Sequence, residues 1–151
     1  HVDILSQYGI RTYRGVDARW YERLSSDFVK PPLRIIDEAA RWTPLVVEPK
    51  LNDGTVEIPG SQIFRPTEGM WKTVPSQSSV VRAKKGLHQA ARTGGVFHLW
   101  FHPFNIAHNQ SKDLARLESI LAVAKDLADV GTIRCLPMRE VAGLAQEGEW
   151  D

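Results

Sequence analysis

The chain has 151 residues, 42% of them hydrophobic and 25% charged, enough for one domain with a packed core or one part of a larger domain. A formal charge of +1 excludes a dominant electrostatic attraction to nucleic acid or to an anionic membrane surface. The single cysteine, Cys135, excludes an internal disulfide and a cysteine-built zinc framework, and its apolar, strand-like setting predicts a buried, inert thiol. No run approaches the roughly 20 apolar residues of a membrane span, and no basic-then-apolar leader is visible. A start at His1, already in helical phase, reads as a fragment or as a processed chain.

Residues 2–8 read as the end of a helix, stopped by Gly9 in a left-handed cap. Residues 10–14 form a short strand closed by Gly15. A helix is expected over 17–30, with Trp20, Leu24 and Phe28 on one stripe. Pro31-Pro32 ends it and opens the next, 33–42, which turns Leu33, Ile36, Ala40 and Trp42 inward. Residues 45–48 suit a strand, Asn52-Asp53-Gly54 a turn, and 55–58 the returning strand. The stretch 59–78 is rich in Pro, Ser, Thr and Gly and reads as a long loop anchored by Phe64, Met70 and Trp71. A basic helix over 79–93 follows, with Arg82, Lys84 and Lys85 on a solvated face.

The stretch from Gly95 to Asn105 carries the most chemistry. It is apolar enough for a buried strand, yet alternation puts His98, Trp100 and His102 on one face. Pro103 cannot join a ladder, so the strand ends at His102, at a carboxyl-terminal edge where α/β folds tend to place chemistry. Beyond it, Ser111 caps a helix running to Asp129 with Leu114, Leu117, Leu121 and Ala124 at core spacing. Residues 132–136 form a strand and 137–144 a last helix, with a loosely ordered tail from Gln146 that includes Trp150. The repeated order of helices and strands implies an α/β architecture with parallel strands and crossover helices.

Trp100-Phe101-His102-Pro103-Phe104-Asn105 resembles the last catalytic motif of the polysaccharide deacetylases, the NodB-homology family of carbohydrate esterases. Residues 10–15, ending Tyr13-Arg14-Gly15, resemble the family's strand with a functional arginine. Glu57-Ile58-Pro59-Gly60-Ser61 resembles a segment of one bacterial branch. Gly131-Thr132-Ile133-Arg134 and Pro137-Met138-Arg139-Glu140-Val141-Ala142 resemble the terminal strand and helix. The resemblance spans nearly the whole chain but only the later half of the family's domain. It implies part of a distorted β/α barrel over 1–146, a tail over 147–151, and hydrolysis of acetamides on N-acetylated sugars.

The family binds a divalent metal, usually zinc, through one aspartate and two histidines, and uses a second aspartate as general base. All four belong to early motifs, an Asp-Asp pair and a His-x-x-x-His. This sequence has no Asp-Asp pair, and its own His98 and His102 lie in the late motif, so no metal ligand is assigned here. The metal and its ligands are expected from a missing upstream half, and the isolated chain is expected to be inactive.

By resemblance His102 is the general acid and Arg14 the partner of the catalytic carboxylate, although the usual Arg-x-Pro-Tyr reads Arg14-Gly15-Val16-Asp17 here. Trp100 is an apolar wall against the acetyl methyl. Asn105 and Trp71 are further candidates for contacting the carbohydrate substrate, and His98 is a satisfied core histidine or an orienting partner. Two other readings stand beside this one: a self-sufficient metal site of His98, His102 and His108, and a non-catalytic carbohydrate-binding module built on the aromatic loop from Phe64 to Trp71.

Overall fold

The computed structural model describes residues 2–19, 21 and 28–148. It is a mixed α/β fold with two small sheets. Helix α1 (Val2–Gln7) ends at Gly9, whose φ of 73° is the left-handed conformation glycine adopts without strain. Strand β1 (Thr12–Arg14) follows. Residues 17–19 are irregular where a helix is expected, and Trp20 and 22–27 lie outside the described residues. Helix α2 (Lys30–Ala39) starts with both prolines in its first turn, where no amide partner is lost.

β2 (Lys50–Asn52) and β3 (Thr55–Ile58) form a hairpin on the expected turn, with Asp53 and Gly54 both at positive φ. β1 pairs in parallel with the other edge of β3, with Thr12 opposite Val56 and Arg14 opposite Ile58. The second sheet is β4 (Gln62–Ile63) in parallel with β5 (Leu99–Trp100). A 3₁₀ turn (Gly69–Thr73) interrupts the long loop, and α3 (Ser78–Thr93) ends at Gly94, φ 76°. A single turn α4 (Phe104–Ala107), the long α5 (Gln110–Asp129) and α6 (Met138–Glu147) complete the chain.

The connection from β3 to β4 joins the sheets. The carbonyls of Ile58 and Gly60 accept from Gly15 and Ala18 on the β1 side, each at 3.0 Å. The amides of Ser61 and Gln62 both donate to the His98 carbonyl on the β5 side, two residues against one, which is a β-bulge. Gly60 therefore sits between the ends of β1 and β5.

Two apolar clusters hold the elements. One joins α3 and α5 through Val80, Ala83, Leu87, Ile120 and Ala124 around Phe64, with Phe97 and Leu99 against it. The other seats α6 on β3 through Val56, Ile58, Val141 and Ala142. The described strands do not close into a barrel.

Six local expectations are corrected. Residues 132–136 join no ladder: among the described residues no backbone bond reaches Ile133 through Leu136. A strand exists only with a neighbour to pair with, and here none is supplied. Residues 45–48 make only one bridge, Val47 to Val96. Helix α2 faces Asp37 and Glu38 inward and leaves Ile36 about half exposed, as is Trp42 beyond its end, while Arg82 of α3 is buried rather than solvated. Cys135 is exposed, and Ser111 lies within α5, which begins after Asn109 without a side-chain cap.

Candidate functional site

The ends of β1 and β5 bring exposed Arg14, His102 and Phe104 into a row around the half-buried Trp100. The Arg14 guanidinium lies 3.8 Å over the Trp100 ring. The His102 ring meets Trp100 edge to face, centroids 5.4 Å apart at 86°, and stacks on Phe104 at 4.9 Å and 16°. β5 ends at Trp100, short of the expected strand end at His102, yet the two rings meet on one side as alternation in the sequence predicts.

Asn105 shapes the turn after the strand. Its buried carboxamide oxygen accepts the His102 amide at 2.7 Å, and its own amide donates to the His102 carbonyl at 2.8 Å. This reciprocal pair fixes the backbone of His102. The His102 side chain remains exposed, and neither ring nitrogen has a protein partner among the described residues.

His98 lies deeper on the same face. Its Nδ1 is 3.1 Å from the Pro59 carbonyl, and burial lowers its pKa from 6.5 against the opposing pull of that bond. A neutral ring donating to a carbonyl is a structural partner. His108 stands on the surface, 3.8 Å from Glu68. The described residues hold no group of three His, Cys, Asp or Glu placed for a metal ion, so the residues present do not fit a metal centre of their own. Trp71 is in a different neighbourhood, with the Arg65 guanidinium 3.9 Å over its ring.

Three residues at the site carry roles that sequence reasoning did not assign. Asp17 accepts from Trp100 Nε1 at 2.9 Å and Arg14 Nη1 at 3.2 Å, and its other oxygen is 3.5 Å from Arg19 Nη2. Phe104 stacks on His102. Gly60 leaves room for the Asp17–Trp100 bond: a Cβ there would stand 2.1 Å from Asp17 Oδ1 and 2.7 Å from Trp100 Nε1. Phe104 lies within the quoted motif, and only its stacking was hidden. Asp17 and Trp100 are 83 residues apart, and nothing local announces their contact.

Behind the row lies a buried ionic network. Arg19 connects Asp17 to Asp37, and Arg82 spans Asp37 and Glu38 with bonds of 2.9 Å to each. Arg65 approaches Glu38 at 3.9 Å, and burial, aided by the Arg19 charge, lowers its pKa to about 10. Burial raises the Tyr21 hydroxyl pKa, against the stabilising charge of Arg19 beside it.

A separate apolar cleft of about 1000 Å³ opens between residues 94–99 and 131–136, lined by Leu87, Phe97, Leu99, Ile120, Ile133 and Leu144 among others. No family model, curated protein or solved structure matches this chain. No described helix is long and apolar enough to cross a membrane.

Proposed function

We propose that this chain is the carboxyl-terminal part of a metal-dependent carbohydrate deacetylase of the NodB type, a distorted β/α barrel when complete. The observation that carries the proposal is the exposed His102 imidazole, held by its backbone just beyond β5, with neither ring nitrogen bonded among the described residues and with Trp100 and Phe104 beside it. In acetamide hydrolysis the departing amine needs a proton as its C–N bond breaks. A protonated His102 can donate that proton and can stabilise the oxyanion that precedes it. Trp100 offers an apolar surface beside that imidazole for the acetyl methyl. Arg14, partly exposed over the indole, suits the carboxylate of a general base brought from elsewhere.

In this reading the metal ligands come from a region outside residues 1–151. The cleft supports it. Bonds to β4 and to Val47 use the carbonyls of Val96, His98 and Trp100, so Phe97 and Leu99 turn their peptide groups to the opposite edge. That edge and the unpaired 133–136 segment border an apolar space, the condition expected of a sheet missing a neighbour.

The test is acetate release from N-acetylated oligosaccharides by the protein expressed from its complete reading frame. His102→Ala is expected to lower the rate by about 100- to 10,000-fold. Residues 1–151 alone are expected to give negligible release. An unchanged rate in His102→Ala removes the assignment, and metal-dependent turnover by the isolated chain removes the incompleteness.

A further inference from the structure

The row is tethered to the protein interior through one carboxylate. Asp17 Oδ1 accepts both the Trp100 indole N–H and an Arg14 N–H, while Oδ2 faces the buried Arg19. We infer that Asp17 is a positioning residue for the proposed hydrolysis, locking Trp100 and Arg14 into one fixed arrangement beside His102. The inference rests on the deacetylase reading of the site.

An indole has a single donor, so one acceptor decides which way the ring lies. β5 contributes only two residues to its ladder and gives Trp100 little restraint of its own. The Asp17 bond supplies that restraint, and the His102 edge packs against the ring so oriented. The same oxygen draws the Arg14 guanidinium across the indole face, so wall and cation are set together. Absence of a side chain at Gly60 is the condition for this approach, since a methyl there would clash with both donor and acceptor. The carboxylate's charge matters separately from its shape. A neutral amide oxygen would keep the indole bond but weaken the hold on Arg14 and Arg19.

The experiment has two arms. In the first, residues 1–151 labelled with ¹⁵N are compared as wild type, Asp17→Asn, Asp17→Ala and Gly60→Ala. The chain has five tryptophans, and Trp100→Phe identifies the indole signal of Trp100. That signal is expected to exchange slowly with solvent in wild type and Asp17→Asn, and to shift and exchange fast in Asp17→Ala and Gly60→Ala. An unmoved signal in Asp17→Ala overturns the inference.

In the second arm, acetate release by the complete protein is measured. Asp17→Ala is expected to lower kcat by about 100-fold, the effect of displacing a reacting environment by ~1 Å, with KM little changed. Asp17→Asn is expected to recover part of that loss. A kcat equal to wild type in Asp17→Ala overturns the positioning role. Failure of the deacetylase reading is visible separately, as absence of acetate from the wild-type protein while the indole arm still reports on Asp17.

Discussion

Arg82→Met tests the buried network that anchors the site. The Arg82 side chain is 3% exposed and donates to Glu38 Oε2 and Asp37 Oδ2, each at 2.9 Å. Methionine fills much of the same volume, so the loss is electrostatic. Two carboxylates adjacent in sequence then lose their bridging cation in an interior that solvates them poorly. Arg19 at 3.9 Å from Asp37 and Arg65 at 3.9 Å from Glu38 remain, beyond hydrogen-bond distance. Removing one partner of a buried ion pair costs about 3–5 kcal/mol, a large share of the ~5–15 kcal/mol that holds a domain folded. Urea unfolding of residues 1–151 at neutral pH, followed by circular dichroism, measures the difference as a lower midpoint at similar slope. A triple variant, Asp37→Asn, Glu38→Gln and Arg82→Met, removes all three charges together and is expected to recover a large part of the loss. A cost below about 1 kcal/mol for Arg82→Met, the value of an exposed pair, refutes the reasoning and restores Arg82 to a solvated helix face.

His98 gives a pH dependence of definite sign. Its folded pKa is depressed by burial below 6.5, so the unfolded chain binds the proton more readily and stability falls as pH drops from 6.5 to the folded pKa, then levels. Thermal midpoints of wild type and His98→Gln compared between pH 7.5 and 5.5 check this, and a wild-type loss no larger than the variant's contradicts it. Cys135, exposed beside the cleft, is expected to react readily with a thiol-specific disulfide reagent in the native chain. If the proposed partner region covers the cleft, the same thiol is slower in the complete protein, and equal rates count against that cover.

The parts of the fold written in local chemistry were legible. Gly9, Gly94 and the Asn52-Asp53-Gly54 turn mark ends and reversals through backbone preference alone, and α5 follows from apolar periodicity. The row at β5 was legible for the same reason, since alternation needs no knowledge of the rest of the chain. What escaped depends on distant partners. Helix α2 was expected to bury Ile36 and Trp42, yet it buries Asp37 and Glu38, because Arg82, more than 40 residues away, neutralises them. Residues 132–136 have a strand's composition without a neighbouring strand. Asp17 appeared only as a departure from an expected motif, whereas its partner Trp100 belongs to the best-recognised one.

The two results meet at Asp17. Strands of two or three residues are too short to be rigid by their ladders alone, yet Arg14, Trp100 and His102 sit at their ends. Any chemistry at His102 needs its surroundings held to within a fraction of an ångström, and exposed side chains on short strands do not achieve that by themselves. The ionic chain from Glu38 through Arg82, Asp37 and Arg19 to Asp17 supplies the missing stiffness, because each buried charge can move only by leaving its partner unsatisfied. An interior of charges is a poor source of net stability compared with apolar packing. It is a good source of fixed direction where the pairs have hydrogen-bond geometry, as in the two bonds of Arg82, and Arg19 extends the chain to Asp17 by charge, at 3.9 Å from Asp37 and 3.5 Å from Asp17. The helices α2 and α3 thereby act on the row through Asp17, and the bare Gly60 backbone is the gap through which that restraint reaches Trp100.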